Sequence, residues 1–228
     1  MSAPGLHIDC VQGSEEWAEA RCGLVTASRA ADVIAMTKKG EAAARRNYRT
    51  ELVVEILTGQ PAPRYVSPEM QWGIDQEPFA RAAYELRHDL LVATCGFILH
   101  PEIPRFGASP DGLIGRDGLI QIKCPNTSTH LGWMLGGTVP LEHAPQMLAE
   151  LACTGREWCD FVSYDPRLPH HLQLFVRRFS RDDALIATLE TEVEHFNAEL
   201  DSVLASLPQA GQGIVLAMDH TDPEEIQF

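Results

Sequence analysis

The chain is short of cysteine pairs, of long apolar runs and of positive charge. Its six cysteines (10, 22, 95, 124, 153 and 159) form no CxxC pair. That spacing supports neither a zinc knuckle nor a disulfide framework, so reduced core thiols are expected. No apolar run approaches the roughly 20 residues of a membrane span. The N-terminal stretch MSAPGLHIDC lacks the basic-then-apolar order of a signal peptide. A soluble, cytoplasmic protein with no membrane partner is therefore expected. With 18 Lys+Arg against 32 Asp+Glu the net charge is −14, which excludes a protein that coats nucleic acid through diffuse electrostatics but not one that grips it locally. Five of the basic residues, Lys38, Lys39, Arg45, Arg46 and Arg49, lie close together. Arg45 and Arg49 share a face if that stretch is helical, which makes them candidate DNA contacts or, equally, part of a solvated helix face.

What is present suits one substantial core: 228 residues, 45% hydrophobic and 22% charged. Ser14 can cap a short helix that Gly23 ends, and Thr26 or Ser28 can cap a second running to Met36. A third helix is expected from about Glu41 to Thr58, stopped by Gly59, and a fourth opens at Ser67-Pro68. Pro78 should kink or interrupt that fourth helix. From Leu90 the period changes, and LLVATCGFILH, RFGASPDGLIG and GLIQIKC read as three buried strands. Helices are expected at about 127–136 and 141–154, strands over WCDFVSYD and HLQLFVRRF, and a long helix from Ser180 to about Leu207, with Ser180 and Asp183 at capping-box spacing. This pattern predicts an α/β or α+β fold, a central mixed sheet flanked by helices. Residues 1–207 form one domain, and 208–228 an acidic surface tail.

One stretch carries chemistry. In SPDGLIGRDGLIQIKCP (109–125), Asp111 follows Pro110 and an apolar strand ends in Lys123. Metal-assisted phosphodiester cleavage needs carboxylates to hold the ions and a cation to position water. The two-residue period of a strand places positions 121 and 123 on one face, while the carbonyl of Ile122 can face an ion. An acid is needed at 121, and the residue there is Gln121. Taken alone, SPDG is as readily an ordinary tight turn.

In chain order, EARCGLVTAS (19–28), QWGIDQEPFA (71–80), ASPDG (108–112), IKCP (122–125), APQMLAELACTG (144–155) and FVSYDPR (161–167) together resemble the phage lambda exonuclease family, the YqaJ-like viral recombinases of the PD-(D/E)xK nuclease superfamily. The resemblance spans residues 10 to 200, about the whole predicted domain. It implies a restriction-endonuclease-like core and a bacterial or phage-encoded, processive 5′-to-3′ exonuclease. Such an enzyme acts on linear double-stranded DNA ends, leaves 3′ overhangs, and works as a ring-shaped homotrimer with a single-strand annealing recombinase. Two Mg²⁺ ions are implied, for which Mn²⁺ can substitute. Asp111, Glu77, the carbonyl of Ile122 and position 121 would hold them, and Lys123 would activate the attacking water. Arg21, Thr26, Ser28, Ser109 and Gln146 would bind the 5′ phosphate, although Thr26 and Ser28 also suffice as helix caps. Met70 falls where the family places an apolar wedge, or is a core methionine. An acid common in the family about ten residues before Asp111 is replaced here by Pro101, with Glu102 beside it.

The family pattern has glutamate at position 121. Glutamine matches its shape but is neutral and offers one carbonyl oxygen to a cation. The resemblance therefore implies lost or impaired cleavage with DNA binding retained. Either the chain is a naturally silent DNA-end clamp, or the change was introduced to trap substrate; retention of Asp111, Glu77, Lys123 and the phosphate set favours the latter. A restriction-like endonuclease of the same superfamily is the third reading.

Overall fold

A computed structural model describes residues 5–63 and 65–208. The chain order is β1 (Leu6–Ile8), α1 (Glu15–Arg21), β2 (Val25–Thr26), α2 (Ala30–Val33), β3 (Met36–Thr37), β4 (Gly40–Glu41), α3 (Ala43–Thr58), α4 (Pro68–His88), β5 (Val92–Ala93), β6 (Phe97–Leu99), β7 (Phe106–Ala108), β8 (Gly112–Ile114), β9 (Gly118–Lys123), α5 (Thr127–Gly136), α6 (Ala144–Thr154), β10 (Trp158–Tyr164), β11 (Leu174–Ser180) and α7 (Asp183–Ser206). The expected acidic tail lies outside the described residues apart from Pro208.

Local chemistry explains most helix ends. Ser14 and Ser67 accept bonds from the amides of Trp17 and Met70, and Asn126 accepts from Thr129. Gly59, Gly137 and Gly155 close α3, α5 and α6 in the left-handed conformation. The second expected helix is cut short: a 3₁₀ turn over Ala27–Arg29 precedes α2, and Thr26 makes no side-chain cap. The long C-terminal helix is capped by Asp182, which accepts from Ala184 and Leu185, while Ser180 ends β11. Of the two expected effects of Pro78, the interruption is absent: α4 runs continuously through it. Pro78 and Ile74 are both exposed, so water can satisfy the carbonyl that loses its partner.

The middle of the chain departs further from the three-strand reading. LLVATCGFILH divides into β5 and β6, and RFGASPDGLIG into β7 and β8; the halves join different sheets. One sheet has four strands in the order β1-β6-β7-β2, the other five in the order β11-β10-β9-β8-β5. Ser109-Pro110-Asp111 is the crossing between them. In the five-stranded sheet β9 and β10 are parallel and the other pairs antiparallel, so it is mixed, as expected. A small β3–β4 hairpin stands apart.

Both faces of the five-stranded sheet are covered. Leu119, Phe161 and Phe175 face a core shared with α3, α6 and α7, while Ile120, Ile122 and Val162 face α4 through Ala80 and Tyr84. Among the described residues all six cysteines are free, with Cys124, Cys153 and Cys159 buried. No described helix is long and apolar enough to cross a membrane.

One buried polar tie fixes α4 to the sheet. The hydroxyl of Tyr84 donates to Asp160 Oδ2 at 2.7 Å, and Arg178 grips the same carboxylate at 2.8 and 3.0 Å. Tyr84→Phe removes one charge-assisted bond and leaves Asp160 its arginine. The expected cost is about 1–2 kcal/mol in urea denaturation; no loss would mean that the tie contributes nothing to stability.

Candidate active site

The β8–β9 register brings the sequence motif together. Gly112 pairs with Ile120 across the antiparallel ladder, so Asp111, one step outside it, meets residue 121. Its Oδ2 accepts the backbone amide of Ile122 and the side-chain amide of Gln121, each at 2.6 Å. Glycine is required at 112 because a Cβ there would collide with Val92 and lie 3.0 Å from Arg81. Arg81 is therefore packed against the start of β8, next to Asp111. It also pairs with Glu77 one turn back, at 2.8 Å.

Gln121 is 1% exposed and lies on the Leu119 face of the sheet, toward α6. There Gln146 donates through one nitrogen to Gln121 Oε1 at 2.8 Å and to Glu150 Oε1 at 2.9 Å. Gln146 and Glu150 are one helical turn apart, so both project from the same side of α6. Glu150 is wholly buried, and its Oε2 has no hydrogen-bond partner among the described residues.

The electrostatics are those of crowded carboxylates beside the cations Lys123 and Arg81. Burial pushes the Asp111 carboxyl up to about 6; Lys123 pulls it down, and the charge of Glu77 pushes it up further. Burial, joined by the charge of Asp111, holds Glu150 well above the ordinary carboxylate range. His143 adds no positive charge near neutral pH, because burial and then Lys123 bring its imidazole down to about 4.

The oxygen donors placed here are the Asp111 carboxylate, the Gln121 amide and the unpartnered Glu150 oxygen, with the charge of Glu77 acting on Asp111. Such a set suits a hard cation like Mg²⁺, which uses one or two carboxylates and fills the rest of its shell with water and phosphate. Among the described residues no three His, Cys, Asp or Glu side chains form a ready-made metal cage.

The expected phosphate-binding residues form a connected group. Arg21 lies 3.5 Å from the Ser28 hydroxyl, which is 3.3 Å from that of Thr26. The Arg21 guanidinium stacks on Trp17, 3.8 Å from the ring centre, and the Trp17 indole donates to Ser109 at 2.8 Å. Ser109 in turn leads through Pro110 to Asp111. Gln146 bonds instead to Gln121 and Glu150. Met70 is 44% exposed at the start of α4, which removes the core reading of that residue.

Arg45 and Arg49, the other expected DNA contacts, lie in ion pairs. Arg45 is buried, donates to the carbonyl of Val33 and pairs with Glu199 at 2.9 Å, and Arg49 pairs with Glu41 and Glu199 at 2.5 and 2.6 Å. These bonds hold α3 to α7 and engage both guanidiniums with carboxylates. The clustering in sequence carried no sign of partners about 150 residues away.

Two contributors were not found from sequence. Trp17 stands four residues before Arg21, and Glu150 four after Gln146, so helical spacing held the signal in both cases.

The chain matches the family model described as the YqaJ-like viral recombinase domain over residues 16–157. No curated protein sequence matches it. Among solved structures it is similar to the alkaline exonuclease LHK-Exo from Laribacter hongkongensis, at 52% identity over 84% of this chain and 95% of that one, with a TM-score of 0.78. The same relative in complex with dAMP superposes with a TM-score of 0.79 at the same identity and coverage. A phage-related exonuclease from Haemophilus somnus 129PT shares the fold, with a TM-score of 0.62 at 14% identity over 88% of this chain and 96% of that one.

A raised carboxyl pKa in the folded state fixes a pH dependence. The proton bound to Asp111 stabilises the metal-free fold fully below its unfolded value of 3.8, and this contribution is lost as pH rises through about 6. In EDTA, Asp111→Asn should therefore be more stable than the parent at pH 8 by about 1–3 kcal/mol, with the difference vanishing toward pH 4. Urea denaturation at both pH values measures it; a variant less stable at pH 8 would overturn the assignment.

Proposed function

The chain belongs to the YqaJ-like viral recombinase family, and from that premise we propose that it is a Mg²⁺-dependent, processive exonuclease. It digests the 5′-ended strand of linear double-stranded DNA and leaves 3′ overhangs for recombination. The observation that carries this reading is the junction of two groups at one corner. Asp111, Gln121 and the Ile122 amide meet there, and Ser109, Trp17 and Arg21 lead from it to the hydroxyls of Ser28 and Thr26. A cleavage centre next to an anion-binding group suits removal of terminal nucleotides. The dAMP bound to the relative at 52% identity is one deoxynucleotide, in keeping with that product.

Each side chain has a role in this reading. Asp111, Glu77 and the Ile122 carbonyl would hold Mg²⁺ or Mn²⁺, two ions in this reading. When bound, the metal neutralises charge at the scissile phosphate and makes water a better nucleophile. Lys123 orients that water. Arg21, Ser28, Thr26 and Ser109 fix the 5′ phosphate through charge-assisted bonds, so the next phosphate falls at Asp111. Gln146 stays with Gln121 and supports its amide. Met70 is an exposed apolar side chain able to part the terminal base pair. Position 121 offers the ion a neutral amide where the family pattern has a carboxylate.

Assembly completes the proposal. A homotrimeric ring lets an acidic chain hold DNA, because a locally basic channel can coexist with a negative exterior and encirclement prevents release. A single-strand annealing protein is the natural recipient of the 3′ overhang.

With Mg²⁺, a 5′-phosphorylated linear duplex should lose nucleotides from its 5′ strand while a covalently closed circle stays intact; cutting of the circle would favour an endonuclease. Arg21→Ala should weaken binding of a 5′-phosphorylated end about tenfold or more and leave a 5′-hydroxyl end unaffected. Equal losses would remove Arg21 from the phosphate site. Light scattering should give three times the 25.2 kDa mass of one chain, and a monomer would remove the basis for processivity.

A further inference from the structure

We propose that Glu150 supplies the anionic metal ligand that position 121 lacks, so that the acid has moved from strand β9 to helix α6 in this chain. The inference rests on the metal-dependent reading above and names a ligand that the sequence motif does not contain.

Three observations carry it. First, Glu150 is wholly buried and half-satisfied: Oε1 accepts from Gln146 at 2.9 Å, and Oε2 has no partner among the described residues. A buried carboxyl oxygen without a partner is unfavourable, and among the described residues neither a lysine nor an arginine pairs with Glu150. An arriving cation would satisfy it. Second, Glu150 adjoins the residue whose charge is missing. One Gln146 nitrogen bonds both Gln121 Oε1 and Glu150 Oε1, which holds these two oxygens within about 6 Å of each other. Gln121 in turn bonds Asp111, the strongest candidate ligand. The charges of Asp111 and Lys123 both act on Glu150 as well, so it shares the field of the cleavage centre.

Third, the two positions explain each other. A glutamate at 121 would place a carboxylate between those of Asp111 and Glu150, with three like charges in one buried space. With Gln121 in the middle, its amide nitrogen donates to Asp111 and its oxygen accepts from Gln146, so the neutral side chain bridges the two acids without repelling either. The count of carboxylates from strand and helix is preserved, and a single change at either position would spoil it.

The test reads metal binding directly, without DNA. Mn²⁺ affinity is measured by the loss of its free electron paramagnetic resonance signal for the parent, Glu150→Gln, Gln121→Glu, and the double variant carrying both changes. Near-ultraviolet circular dichroism in EDTA confirms that each is folded. Glu150→Gln should bind Mn²⁺ at least tenfold more weakly than the parent, and the double variant, which returns the acid to the strand, should recover to within threefold. If Glu150→Gln alone does not fold, the double variant against Gln121→Glu still decides: comparable affinity supports exchange of the acid, and a tenfold loss in the double variant overturns it. Parent-like affinity in Glu150→Gln overturns the role of Glu150 while leaving the nuclease reading intact, provided that the parent binds Mn²⁺ and digests linear duplex. A parent that does neither overturns both.

Discussion

The carboxylate of Asp111, held by the Ile122 amide and the Gln121 side chain, is the contact on which the rest of the molecule depends. Ser109-Pro110-Asp111 is where the chain leaves one sheet and enters the other. Strand β8 must begin in register with β9 for Asp111 to stand opposite residue 121. Because side chains alternate along a strand, a slip of one residue would turn Gln121 and Lys123 toward α4 and bring Ile120 and Ile122 to the α6 side. The packing of apolar residues on both faces forbids that slip, so the core that stabilises the fold also aims the site.

The charge distribution follows two separate uses of arginine. Arg45, Arg49 and Arg178 lie against carboxylates and join helices or strands to one another. Arg21 stacks on an indole beside hydroxyls, where a planar guanidinium is well placed to receive a phosphate. Net charge does not distinguish these uses; what surrounds each side chain does. At the centre itself the fold buries Asp111 and Glu150 in a setting that penalises negative charge. That penalty is the normal signature of a site kept for chemistry at the expense of stability.

The legible part of the fold was the part governed by neighbours in the chain. Ser14, Ser67, Gly59 and Gly155 act within one turn, and α1, α3, α4 and α6 end about where these residues place them. Pro78 failed as a breaker because its effect depends on which side of the helix faces water. The three apolar segments after Leu90 were recognised as β structure, yet their division between two sheets depends on pairing with β1 and β2, far away in sequence.

The residues of the site divide in the same way. Asp111, position 121 and Lys123 were readable from sequence because strand period and one short turn are local rules, and the ordered motifs identified the family. That Arg45 meets Glu199, that Met70 is exposed and that Glu150 lies beside Gln121 were decided only by tertiary structure. Those facts turn on how α6 and α7 pack against distant elements, and burial and charge pairing between such elements leave no periodic trace in the chain.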